Sequence, residues 1–126
     1  MSVKEARFDA AFLQRQRQQL LRLRASLVTA VEASESDEAE VKRQNAGESA
    51  EMEDDAQRLD TLERDDNLLA RNVERLERID RALKKIDEGT YGLSDMSGLP
   101  IPRARLELVP EALYTSGEQD LRERKR

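Results

Sequence analysis

Ser94, Ser97, Thr115 and Glu118 stand as two pairs, each with two residues between its members. That is the spacing with which paired cysteines place four thiolates tetrahedrally around one zinc ion. Here the donors are three hydroxyls and one carboxylate. Hydroxyls stay protonated near neutral pH and bind zinc poorly, and a lone carboxylate cannot close such a site. The chain contains no Cys and no His. Zinc is therefore not expected, and the four positions read as vacated ligand positions. The same shortage argues against catalysis, because the usual thiol and imidazole groups are missing. A phosphate loop of the G-x-x-x-x-G-K-[ST] type is also missing. The many acids would need a dry pocket to shift their pKa values, and exposed helices offer none. No enzymatic activity is expected.

The elements that carry these positions follow from composition and period. The chain has 126 residues, 39% of them charged, 37% hydrophobic and only 3% aromatic. Such a balance suits either disorder or exposed helices laced with ion pairs. The apolar period decides for helices. Leu13, Leu20, Leu27 and Val41 recur at seven-residue spacing, with Ser34 in the missing turn and Leu23 and Ala30 at the intermediate positions. Leu21 and Val28 widen that seam. The pattern predicts one helix from about Lys4 to Arg43. A second seam runs through Leu62, Leu69, Leu76 and Leu83, with Leu59, Ile79 and Ile86 alternating and Asp65 and Asn72 as polar interruptions. The turn residues of Gln44–Ser49 predict a reversal between the two. Asp54 with Gln57 has the form of a capping box, so the second helix is expected to start near Asp54. Gly89 suits a positive-φ position just past its end at Glu88. At about 1.5 Å per residue such a helix reaches on the order of 50 Å.

The fold class expected is thus mainly α. Residues 1–88 form a long antiparallel coiled-coil hairpin with its tip at about 44–56, and residues 89–126 form a small separate module. The module is rich in Gly and Pro: Gly89, Gly92, Gly98, Pro100 and Pro102 fall within fourteen residues. It is expected to hold a short strand pair around Leu99–Ile101 and Leu106–Leu108. Pro110 would open a C-terminal helix that packs back through Leu113, Tyr114 and Leu121. Without a metal, Leu93, Met96, Leu99, Ile101, Leu106, Leu108, Val109 and Tyr114 would supply an apolar core instead. The last five residues, Arg122–Arg126, read as a solvated end.

The module's wording carries a resemblance. Leu83-Lys84-Lys85-Ile86-Asp87-Glu88 leads into Gly89-Thr90-Tyr91-Gly92, followed by Gly98-Leu99-Pro100-Ile101, Arg105-Leu106 and Pro110, five residues before Thr115. This resembles the DksA/TraR family of bacterial transcription regulators, whose signature runs G-x-Y-G-x-C-x-x-C-G-x-x-I, R-L-x-x-x-P and C-x-x-C. The likeness covers about residues 51–119, with the cysteines of a zinc ribbon replaced. It implies that bacterial RNA polymerase is the partner, entered through its secondary channel. The family's acidic tip, D/E-x-x-D-x-A, matches Glu51-Met52-Glu53-Asp54-Asp55-Ala56, which makes Glu51, Asp54 and Ala56 the tip residues that act on promoter open complexes. In relatives that respond to ppGpp, basic residues help hold the nucleotide. The matching positions are Arg78, Val109 and Gln119, and only the first is basic, so ppGpp dependence is expected to be reduced or absent.

Each of these residues has a second reading. Acidic groups around Asp54 also stabilise the positive end of the second helix. Arg71, Arg75 and Arg78, continued by Arg81, lie on one side of that helix and suit the acidic rim of a partner. They also suit pairing with Glu74 and Glu77 on a solvated surface. A net charge of −5 argues against sequence-specific DNA binding. No apolar run is long enough to span a membrane and no signal-peptide pattern opens the chain, so a cytoplasmic protein is expected, and a monomer is expected over a dimer. The alternative is a non-catalytic coiled-coil adaptor or a homodimerising structural protein, because paired heptads do not name their partner.

Overall fold

The computed structural model of the chain describes residues 8–46 and 52–125. The fold is mainly α. A helical hairpin of α1 (Ala10–Ala46) and α2 (Met52–Glu88) is followed by a small module holding α3 (Arg103–Leu108) and α4 (Ser116–Arg124). Contacts divide the chain into two compact units. One comprises Met1–Arg24 with Glu77–Arg126, and the other Ala25–Leu76.

α1 begins later than the apolar period suggests. Phe8 and Asp9 are not helical, and Asp9 Oδ1 accepts the Phe12 backbone N–H at 2.8 Å, so an aspartate N-cap sets the start. At the far end Gln44–Ala46, expected in a turn, are still helical, and residues 47–49 of the expected reversal lie outside the described residues. α2 starts at Met52, which puts Asp54 inside its first turn rather than at the cap. Its end is as expected: Glu88 is the last helical residue and Gly89 takes φ +81°.

Within the first unit the helices run antiparallel, with Arg17 bonded to Asp87 at 2.5 Å and Arg24 to Asp80 at 2.7 Å. These exposed pairs fix register more than they add stability. Leu20 and Ile79 are fully buried, as the seams predict, whereas Leu21 is exposed. Phe12, Gln16, Ala82 and Lys85 are buried as well, off the heptad line. At least Gln16 and Lys85 are covered by the module, to whose atoms both are hydrogen-bonded. In the second unit the burial is thinner. Leu27 is buried, Ala30, Ser34, Leu69 and Asn72 are half-buried, and Leu68 and Val73 are exposed. That is the profile of a narrow seam with polar interruptions.

The module differs from expectation in its elements. No strand pair forms among the described residues: an isolated bridge joins Leu93 to Pro100, and Arg103–Leu108 is helical. Burial explains why. Leu106 is fully buried and Leu108 is 84% exposed, whereas residues two apart on a strand would face the same side. Pro110 does not open the last helix. It is buried in a turn, and α4 starts only at Ser116 behind a Thr115 cap. The anticipated apolar core forms in part. Ile101 and Leu106 are buried and Leu93 and Tyr114 half-buried, but Met96, Leu99, Leu108 and Val109 are exposed, as is Leu121, which was expected to pack the last helix back. The interior is completed by Tyr91, Pro110, Ala112 and Leu113. Arg122, expected in a solvated end, lies in α4 with its guanidinium 4.4 Å from the Tyr114 ring centre.

Candidate functional site

Two polar constructions hold the module to α1 and α2, and a third lies within the module itself. The first centres on Tyr91. Gln16 Nε2 donates to the Tyr91 hydroxyl at 3.0 Å and to the Leu106 carbonyl at 2.8 Å, and the hydroxyl donates onward to the Pro110 carbonyl at 2.8 Å. Every group in this chain of bonds is satisfied, which is what makes its burial tolerable. Burial pushes the Tyr91 hydroxyl up to about 12, opposed by the Gln16 hydrogen bond. Phe8 and Phe12 pack nearby, their ring centres 4.7 Å apart, and the Arg103 guanidinium lies 4.1 Å from the Phe12 ring centre.

The second construction ties α2 to the turn after Leu93. Arg81 grips Asp95 through two bonds of 2.9 and 3.1 Å, and Lys85 Nζ lies 3.0 Å from Asp95 Oδ1. Lys85 is only 2% exposed, and its ammonium also donates to the Leu93 carbonyl. The Arg81 hydrogen bonds hold the Asp95 carboxyl below its usual range, and Lys85 adds to the effect. Arg81 is therefore committed to the module. Arg71 is exposed, with Nε 3.4 Å from the Asn67 carbonyl, and Arg75 and Arg78 are half-buried. Arg71 and Arg75 belong to the second unit and Arg78 to the first.

The third construction occupies the vacated ligand positions. The Ser94 hydroxyl donates to Glu118 Oε1 at 2.6 Å, and the same oxygen accepts the Thr115 N–H at 2.9 Å. Glu118 N–H bonds back to Thr115 Oγ1 at 3.3 Å, which closes a capping box at the start of α4. The Met96 and Ser97 N–H groups both converge on Ser94 Oγ, at 3.0 and 3.2 Å. Hydrogen bonds from Ser94, then Ser97, then the Thr115 backbone draw the Glu118 carboxyl down to about 2.

All four positions therefore meet, as their spacing implies, but they do not fit the zinc that the resemblance implies for the family. Their oxygens are already engaged: Ser94 Oγ accepts the Met96 and Ser97 N–H groups, Ser97 Oγ that of Leu99, Thr115 Oγ1 that of Glu118, and Glu118 Oε1 accepts from Ser94 and Thr115. No group of three or more His, Cys, Asp or Glu side chains suited to a metal occurs among the described residues. The Thr-x-x-Glu signal of this cap was present in the sequence. Glu51 lies outside the described residues, and the side chains of Asp54 and Ala56 do too, although both belong to the start of α2. Among the described residues, no helix is long and apolar enough to cross a membrane.

No family model matches the chain. Among curated proteins, it is 50% identical over 42 residues to general stress protein 16O of Bacillus subtilis, covering 33% of this chain and 26% of that one. It is 38% identical over 50 residues to the RNA polymerase-binding transcription factor DksA of Caulobacter vibrioides, covering 40% and 35%. The chain thus spans about a quarter to a third of the length of these two relatives. Solved structures match over nearly the whole chain. The Dks protein of Chlamydia trachomatis, titled an RNA polymerase binding protein and transcriptional regulator, shares the fold with a TM-score of 0.59 at 24% identity, over 94% of both chains. The transcription factor DksA2 of Pseudomonas aeruginosa superposes with a TM-score of 0.71 at 30% identity, over 95% of this chain and 89% of that one. With its hairpin, its Tyr91-centred module and a likeness of that extent, the chain belongs to the DksA family of transcription factors.

Proposed function

We propose that this protein regulates transcription by binding bacterial RNA polymerase through the secondary channel, where its hairpin tip acts on promoter open complexes. The observation that carries the reading is the near full-length likeness to DksA2, which covers the hairpin and the module together. Charge distribution supports it. Acidic residues crowd the sequence around the reversal, with Glu48, Glu51, Glu53, Asp54 and Asp55 close together, while α1 from Ala10 to Arg24 carries Arg15, Arg17, Arg22 and Arg24 and no acid. Carboxylates brought near a metal-dependent catalytic centre perturb metal, substrate and neighbouring cations at short range.

Glu51, Asp54 and Ala56 are the effector residues in this reading, and Arg71, Arg75 and Arg78 meet the acidic rim of the channel. The protein works as a monomer in the cytoplasm, without catalysis and without sequence-specific DNA contact. Its response to ppGpp is weak. Of Arg78, Val109 and Gln119 only the first is cationic, and the Gln119 amide is bonded to Glu123 at 3.2 Å.

Asp54→Asn tests the tip. It removes one charge and keeps the side chain's shape. The expected outcome is a sharp drop in the effect on open-complex lifetime, with polymerase binding changed much less. An adaptor or homodimer would register almost no change in either measurement.

A further inference from the structure

The geometry points to a carboxylate–hydroxyl clasp, Ser94 to Glu118, that has taken over the mechanical task of a metal in residues 89–119. It ties the 94–97 turn to the start of α4, so the module folds without a transition metal and withstands chelators and thiol oxidants.

The clasp gathers two distant segments on one atom, because Glu118 Oε1 accepts from both Ser94 Oγ and the Thr115 N–H. Its serine end is fixed by two backbone N–H groups and is itself buried, 6% exposed. Its glutamate end is fixed by the capping box. The next residue, Asp95, binds α2 through Arg81 and Lys85, and its N–H bonds to the Leu113 carbonyl at 2.8 Å. The 94–97 turn is therefore the joint at which α2, the segment before α4, and α4 itself are locked together. A structural metal site does this through ligand bonds that chelation removes and thiolate oxidation breaks. The clasp contains neither a metal nor an oxidisable thiol. Half of the apolar residues anticipated in its place, Met96, Leu99, Leu108 and Val109, are exposed, so the polar bonds share the tie between the two segments with a smaller interior around Ile101 and Leu106.

This inference stands apart from the polymerase reading, since it concerns the module's folding and is measured on the free protein. The test is backbone amide hydrogen exchange across residues 89–119 of the full chain at neutral pH, with and without EDTA and the thiol-specific oxidant diamide, alongside elemental analysis. Wild type is expected to carry no stoichiometric zinc and to exchange identically in all conditions. Glu118→Ala is expected to speed exchange of the 94–98 and 115–119 amides about tenfold or more, with Glu118→Gln, which keeps an acceptor, falling between. The quadruple variant S94C/S97C/T115C/E118C is expected to take up one zinc per chain and to become chelator-sensitive. Faster wild-type exchange in EDTA, one zinc per purified wild-type chain, wild-type exchange in Glu118→Ala, or a quadruple variant that binds no zinc would each overturn the proposal. Should Glu118→Ala fail to fold, the chelator arm on wild type still decides.

Discussion

Lys85 and Asp95 form an ion pair of 3.0 Å in which the lysine side chain is only 3% exposed, while the aspartate also holds Arg81. A lysine buried at the end of an amphipathic helix is costly unless its charge is met, and here the carboxylate and the Leu93 carbonyl meet it. Removing one partner of a buried pair typically costs about 3–5 kcal/mol. Lys85→Ala leaves Asp95 its second cation, so a loss of about 3 kcal/mol in urea unfolding is expected, larger than for Arg17→Ala at the exposed Asp87 pair.

Tyr91→Phe removes a hydroxyl that accepts from Gln16 and donates to the Pro110 carbonyl. The carbonyl is left buried and unmatched, at a cost of about 1–3 kcal/mol in the same measurement. Gln16→Leu in the Tyr91→Phe background is expected to deepen that loss, because the Leu106 carbonyl then loses its Gln16 Nε2 donor as well.

Alkaline stability depends on the same hydroxyl. Its folded-state pKa, about 12, lies above the ordinary value of 10.0, so the folded chain keeps a proton that the unfolded chain gives up. The contribution is intact below about pH 10 and is lost as pH rises towards 12. The fall in stability over that window is expected to flatten in Tyr91→Phe, as followed by circular dichroism.

Acid acts through Glu118 and Asp95, whose carboxyls lie below their ordinary values of 4.5 and 3.8. The sign is the reverse of the tyrosine case. Their contribution is present above those ordinary values and is lost as pH falls through the folded ones, for Glu118 down to about 2. Amide exchange in α4 is expected to quicken across that interval beyond its intrinsic pH trend, and less so in Glu118→Gln. An α4 whose exchange follows only the intrinsic pH trend there would contradict the assigned cause.

Gly89 takes φ +81°, with open space where a side chain would go. Gly89→Ala is therefore expected to cost about 1–2 kcal/mol from backbone strain alone.

Much of this was legible in the residues, and the failures have physical causes. The seams at Leu20, Leu27 and Ile79 and the stop at Gly89 follow from period and from a glycine's tolerance of positive φ. Lys85 was not legible. A lysine beside a heptad reads as solvent-facing, and the residues that bury it lie across a turn, at Leu93 and Asp95. Leu106-Glu107-Leu108 alternates like a strand, but Pro102 starts a turn whose carbonyl takes the Arg105 and Leu106 N–H groups, and a helix follows. The four vacated positions were found by spacing. Their joining by hydrogen bonds, rather than replacement by apolar packing, was signalled only by Thr115-x-x-Glu118, whose spacing suits a helix cap as well as a ligand pair.

Binding of core RNA polymerase by the full chain, in the presence and absence of a competitor that blocks the secondary channel, tests the central claim most directly. The account predicts retention of the polymerase that the competitor abolishes. Retention unaffected by a saturating competitor, or no retention at all, would contradict it.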